Sequence, residues 1–304
     1  MFIRKYEPMD FEYLEKIQLR LPKIGIGTWK YRGGVEPIRK AVELGANLVD
    51  TAEFYGTEEI VAEAIKGLRD QVIISTKVWP SHFRYKDVIK AAEGSLRRLK
   101  TDHIDLYQLH WPNPTIPISE TMQAMELLVD AGKIRFIGVS NFSVHQLKKA
   151  HSSMKKHRIT FNQVRYNLID RQIENRLLPY CRANDILVVA YSPLGGGLNY
   201  IRAHDKKDIL DAIANKIGKT CAQVVLNWCI SKEKVVVIPK ANSIGHVLEN
   251  CGSAGWRLSE QQMELLTRGI RTEQGPIERV VRSRARKVLE IIGMRRPIYK
   301  IEID

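Results

Sequence analysis

The sequence predicts an α/β protein, a (β/α)8 TIM barrel in one domain. Three observations lead there. Short apolar, β-branched runs recur eight times, stretches of helical period separate them, and 304 residues is a length such barrels commonly occupy. Strands alternating with amphipathic helices imply right-handed βαβ units and a parallel sheet, and eight repeats favour a closed barrel over an open one. The domain is expected to take in residues 1–304, with 268–304 a basic helical extension of it and not a second domain.

Taken in order, the strand runs are "KIGIGTW" (23–29), "ANLVDT" (46–51), "VIISTKV" (72–78), "HIDLYQLH" (103–110), "IRFIGVS" (134–140), "TFNQVRY" (160–166), "ILVVAYS" (186–192) and "VVVIP" (235–239). Helical patterns fall at 33–44, 57–69, 86–99, 119–131, 143–156 and 174–184, with a double one at 206–231. Thr57 followed by Glu58 and Glu59 suits a helix start, because acids there meet the positive end of the helix dipole. Gly45, Gly67 and Gly132 sit where helices should stop. The G-x-G of "LPKIGIGTWK" has no third glycine at the required place and no helix directly after it, so a Rossmann dinucleotide fingerprint is absent.

Composition narrows the class. A hydrophobic content of 44% with 27% charged residues is that of a soluble globular protein. No apolar run approaches a membrane span, and the N-terminus lacks the uninterrupted apolar core of a signal peptide, so a cytoplasmic chain with no membrane partner is expected. Cys181, Cys221, Cys229 and Cys251 show neither C-x-x-C pairing nor matching histidine spacing, which argues against a zinc site or a disulfide framework; no metal is expected. The net charge of +14 raises the question of an anionic partner, and Arg268 to Lys300 alone carries ten Lys/Arg against three acids. Within it "RVVRSRARKVLEII" has helical spacing and, with only Tyr299 to stack on bases, reads as a solvated face more readily than as a nucleic-acid module.

In a barrel the chemistry sits at the C-terminal strand ends. These deliver Thr28-Trp29, Asp50 with Tyr55 on the following loop, Lys77 and Trp79, His110-Trp111, Ser140-Asn141, Gln163, Tyr191-Ser192 and Lys240. A tyrosine is a weak acid, with an ordinary pKa of about 10, and a neighbouring cation would favour its ionised form. Lys77 can be that cation, and Asp50 can hold it charged at an apolar barrel mouth. His110 could then donate a hydrogen bond to the same substrate oxygen. The set makes sense as a site that protonates a carbonyl oxygen. Each part has a plainer reading: Asp50 and Lys77 a structural ion pair, His110 a satisfied core histidine, Trp29, Trp79 and Trp111 ordinary packing, "GGG" a mobile loop tip.

Along nearly its whole length, from "GIGTW" to "VLEN" (247–250), the chain resembles the aldo-keto reductase superfamily, most specifically in "DTAEFYG", "STKVW" and "DLYQLHWP". The resemblance implies an NAD(P)H-dependent reduction of aldehydes or ketones, with Asp50, Tyr55, Lys77 and His110 as the catalytic tetrad and Tyr55 as the acid. It also matches "GVSNF" (138–142), Gln163, "AYSPLG" (190–195) and "IPKA" (238–241). By that likeness Ser140, Asn141 and Gln163 would hold the nicotinamide carboxamide and Tyr191 would stack on its ring. Thr28, Trp29 and Asp50 would border the cofactor; Ser192, Pro193, Leu194, Gly195 and Gly196 would run along the phosphates with Lys240. Ile238, Pro239, Ala241, Asn242, Ser243, His246, Glu249 and Asn250 would complete the adenosine end. Trp29, Trp79, His110 and Trp111 would face the small carbonyl substrate.

Two departures qualify the likeness. NADP-preferring relatives follow the lysine with a serine and, six residues on, an arginine; here Ala241 and His246 stand in those places. Histidine is only partly charged near neutrality, so the expectation is NADPH with NADH also usable. The basic C-terminal segment matches no family pattern, and the sequence leaves a monomer or a weak homo-oligomer open. Two further readings compete: a cofactor-binding sensor or regulatory subunit with negligible turnover, and a lyase forming a Schiff base on Lys77.

Overall fold

A computed structural model describes residues 9–272 of the 304. The basic segment from 273 onward, including the helical pattern expected there, lies outside the described residues.

The chain opens with an antiparallel hairpin, β1 (Phe11–Leu14) and β2 (Leu19–Pro22), which the sequence reading missed. Its alternation puts Leu14 and Leu21 on one face, both fully buried. They close the base of the barrel against Leu48, Leu106, Phe161, Leu187 and Val236.

The barrel strands follow as β3 (Ile26–Gly27), β4 (Leu48–Asp50), β5 (Ile73–Val78), β6 (Ile104–Leu109), β7 (Ile134–Ser140), β8 (Ile159–Arg165), β9 (Leu187–Tyr191) and β10 (Val235–Val237). They form one parallel sheet of eight in sequence order. A parallel bridge between Ile24 and Val237, with Gly25 N–H donating to the Val237 carbonyl at 2.8 Å, joins the two ends.

After β3 to β8 come α1 (Glu36–Glu43), α2 (Glu58–Ala64), α3 (Tyr85–Leu99), α4 (Ile118–Asp130), α5 (Val144–Ser152) and α6 (Leu177–Ala183). The expected double helix resolves into α8 (Ile209–Ile217) and α9 (Cys221–Ile230), preceded by a short α7 (Leu198–Arg202). Two helices absent from the expectation, α10 (Ile244–Cys251) and α11 (Glu260–Gly269), follow β10. Their starts are chemically marked: Ser243 and Ser259 each accept a bond from the backbone three residues on, and Ser259 with Gln262 forms a full capping box. Gly45, Gly67 and Gly132 all adopt positive φ just past helix ends, as expected. Helix α2 starts directly after Thr57, with Glu58 and Glu59 in its first turn as expected; the Thr57 hydroxyl makes no capping bond and lies 2.9 Å from those of Thr28 and Thr51. Glu58 is buried, bonded to Thr76 and Arg98, so its partners are side chains beyond the helix end.

Strand alternation sorts the barrel interior into layers. Leu48, Leu106, Phe161 and Leu187 are apolar near the base. Two residues further along three of these strands come Asp50, Gln108 and Gln163, with Ser75 and Lys77 on β5; all five are buried. The register sets Asp50 beside Ser75, Lys77 beside Gln108, and Ser140 beside Gln163. Gly138 makes room for this layer, since a Cβ there would stand 2.7 Å from the Gln108 Cγ. Among the described residues no helix is long and apolar enough to cross a membrane, and the four cysteines are buried and free.

Candidate active site

The polar layer is a connected network. Lys77 Nζ donates to Asp50 Oδ1 and to the Thr51 carbonyl, each at 2.7 Å. Asp50 Oδ2 accepts from Ser75 Oγ and Gln163 Nε2, both at 2.8 Å, and Gln108 Nε2 donates to Ser75 Oγ at 2.7 Å. Burial lowers the Lys77 pKa from its ordinary value, against the pull of Asp50, so the ammonium depends on its carboxylate partner.

Tyr55 ends a single 3-10 turn, Glu53–Tyr55, just beyond β4, and Gly56 at φ 66° turns the chain out of it. Its ring lies 4.9 Å from Lys77 Nζ, and its hydroxyl stands 3.4 Å from His110 Nε2. Burial first, and then the Asp50 carboxylate, hold the Tyr55 pKa well above its ordinary value. The resting tyrosine keeps its proton. His110, nearly buried, is pushed down to about 2 by burial and then by Lys77, so its imidazole is neutral. Its Nδ1 has no hydrogen-bond partner.

Aromatic rings surround this pair. Trp79 meets His110 edge-on at 5.1 Å, and Trp29 lies 4.9 Å from Tyr55. Phe54, not anticipated from the sequence, stacks on Trp79 at 4.2 Å and lies parallel to Trp29 at 6.2 Å while remaining 54% exposed. The Glu53 carboxylate fixes the turn to the opposite loop, accepting from the Trp79 N–H and lying 3.0 Å from His82 Nδ1. Trp111 is half-buried and takes no part in the described ring contacts. The signal for Phe54 was its place, a large apolar residue directly before the phenol on a strand-end loop.

Ser140, Asn141, Gln163 and Tyr191 meet beside the same network. Asn141, at φ 64°, donates to Ser140 Oγ at 3.0 Å and to the His110 carbonyl at 3.3 Å, and accepts from the Tyr191 hydroxyl at 3.0 Å. These amides and hydroxyls, with the Tyr191 ring, are a donor and acceptor set that could hold a carboxamide and a flat heterocycle. The Thr28 hydroxyl is turned inward, bonded to the Asp50 carbonyl and Thr57. In the loop from Ser192 through Pro193 and Leu194, the N–H groups of Gly195 and Gly197 close turns onto the Ser192 and Leu194 carbonyls, and Gly196 is exposed between them. At the far end Lys240, Asn242, Ser243 and His246 are exposed and Glu249 is half-buried. Pro239 and Asn250 are buried, as is Ala241, and the Ile238 side chain joins the apolar cluster inside the barrel. Among the described residues no cluster of His, Cys, Asp or Glu could hold a metal ion.

Comparison with known proteins agrees with this architecture. A model of the Aldo/keto reductase family matches residues 23–270. A methylglyoxal reductase from Escherichia coli is 38% identical over 266 residues, covering 84% of this chain and 93% of its own. A thermostable aldo-keto reductase solved with the inhibitor epalrestat superposes with a TM-score of 0.80 at 40% identity, over 85% of this chain and 99% of that one. An aldo-keto reductase from Klebsiella pneumoniae solved with NADPH gives 0.79 at 38% identity, over 86% and 94%.

Proposed function

The chain belongs to the aldo/keto reductase family, and from that premise we propose that it reduces small aldehydes and ketones to alcohols, with Tyr55 as the proton donor. The cofactor in this proposal is NADPH, with NADH also used. The observation that carries the reading is the Tyr55 hydroxyl 3.4 Å from His110 Nε2, with the Tyr55 ring 4.9 Å from Lys77 Nζ of the buried Lys77–Asp50 pair.

Ser140, Asn141, Gln163 and Tyr191 would hold the nicotinamide, whose chemistry there would be hydride donation to the carbonyl carbon. Tyr55 donates its proton to the carbonyl oxygen as negative charge develops there. A neutral His110 with its proton on Nε2 donates a second hydrogen bond to that oxygen, which orients the substrate. Lys77 lies close enough to favour the phenolate left behind, and Asp50 keeps Lys77 charged and in place. Trp29, Phe54 and Trp79 line and narrow the mouth with aromatic surface. Such a mouth suits compact substrates, including 2-oxoaldehydes of the kind the Escherichia coli relative is named for. The proposal also covers a cytoplasmic enzyme, active as a monomer or weak homo-oligomer.

The test is loss of the reduced cofactor's near-ultraviolet absorbance with methylglyoxal and with an aromatic aldehyde, using NADPH and then NADH. Turnover that is faster with NADPH supports the reading. NADPH that quenches tryptophan fluorescence but is not oxidised by any aldehyde or ketone tried would contradict it and favour a cofactor-binding sensor.

A further inference from the structure

The segment 240–246 carries two basic groups, Lys240 and His246, and no guanidinium. The structure brings one to the same place from a different loop. Between β3 and α1 the chain folds against the turn that leaves β10. Gly27 N–H donates to the Pro239 carbonyl at 3.2 Å, and Lys240 Nζ lies 3.5 Å from the Lys30 carbonyl. Arg32 N–H donates to Asn242 Oδ1 at 3.1 Å. The approach is close enough that a Cβ on Gly33 would stand 2.8 Å from the Asn242 carbonyl oxygen. Buried Tyr31 fixes the loop from within, its N–H bonded to the Thr28 carbonyl at 3.1 Å and its hydroxyl donating to Gly34 at 2.8 Å.

Arg32 is therefore held at its backbone beside Asn242 while its side chain is exposed. Among the described residues its guanidinium has no carboxylate partner. Lys30 is likewise exposed without an acid, lying 5.8 Å from the Trp29 ring. Lys30, Arg32 and Lys240 thus gather three cations around the start of α10, whose dipole adds positive potential there. Unpaired cations on mutually tethered loops suit a doubly charged, multidentate anion, and a guanidinium fork matches phosphate oxygens better than an ammonium does.

We propose that Arg32 recognises the 2′-phosphate of NADPH, supplying from the first barrel loop the guanidinium that His246 does not. The proposal rests on reading 238–250 as the adenosine-phosphate segment. It makes Arg32 a specificity residue for cofactor choice with no part in hydride or proton transfer.

The test is titration of wild type, Arg32→Ala and Arg32→Lys with NADPH and with NADH, followed by quenching of tryptophan fluorescence. Arg32→Ala should weaken NADPH about ten- to a hundredfold, the range a charge-assisted contact carries, and leave NADH within about twofold. Arg32→Lys should restore part of the loss. Equal weakening of both cofactors would place Arg32 at the shared pyrophosphate and overturn the proposal, as would no effect on either. Wild type that binds neither nucleotide would instead overturn the cofactor reading itself.

Discussion

Replacing Lys77 by Met isolates the interaction on which the site is built. The residue is fully buried and its ammonium bonds Asp50 at 2.7 Å. Removing one partner of such a pair strands the other charge, which costs about 3–5 kcal/mol. Asp50 keeps its bonds from Ser75 and Gln163, each at 2.8 Å, which places the expected loss near the lower end, about 3 kcal/mol. For a chain of this size that corresponds to a fall in Tm of roughly 5 °C. Asp50→Asn should be costly in turn because it leaves the ammonium buried without its counter-charge. The double variant carries neither charge, so its loss should fall short of the sum of the singles by about 2 kcal/mol or more. Thermal and urea denaturation of the four proteins measures this coupling. Losses that add within about 0.5 kcal/mol would mean that the pair is not an interdependent unit, and the reasoning would fail.

Two other outcomes follow from the same geometry. His110 is neutral in the folded chain, with its pKa pushed down to about 2, whereas an unfolded histidine titrates near 6.5. Its contribution is therefore present above that unfolded value and lost as pH falls, by about 2 kcal/mol between roughly pH 6.5 and 5. Stability curves of wild type and His110→Gln should converge as pH drops through that window; parallel curves would refute the buried neutral state. Phe54→Ala opens the stack between Trp29 and Trp79, so kcat/KM for a bulky aromatic aldehyde should rise about five- to tenfold relative to methylglyoxal. An unchanged ratio would remove Phe54 from substrate selection.

The barrel was legible because its signal is local. Runs such as "VIISTKV" and "HIDLYQLH" carry the alternation that sends Lys77 and Gln108 inward, and βαβ handedness leaves few ways to arrange eight of them. The order of strand-end residues placed Asp50, Tyr55, Lys77 and His110 at one mouth, which the hydrogen bonds reproduce in space. The hairpin at 11–22 escaped notice because its two strands are four residues each and show alternation on only one face. Helices α10 and α11 were missed although Ser243 and the Ser259–Gln262 box mark their starts. Other features depend on distances that no local pattern encodes. Burial and then Asp50 raise the tyrosine pKa, Glu58 finds Arg98 and Thr76 across the sequence, and Arg32 meets Asn242 from 210 residues away.

The proposed role of Tyr55 as the acid is tested most directly by Tyr55→Phe, which removes the phenolic oxygen and keeps the ring that packs on Trp29 and His110. The measurement is kcat with methylglyoxal alongside the Kd for NADPH. The account predicts a fall in kcat of about a hundred- to ten-thousandfold with cofactor affinity nearly unchanged, because the lost group acts in the transition state. Reduction at a near wild-type rate would contradict it.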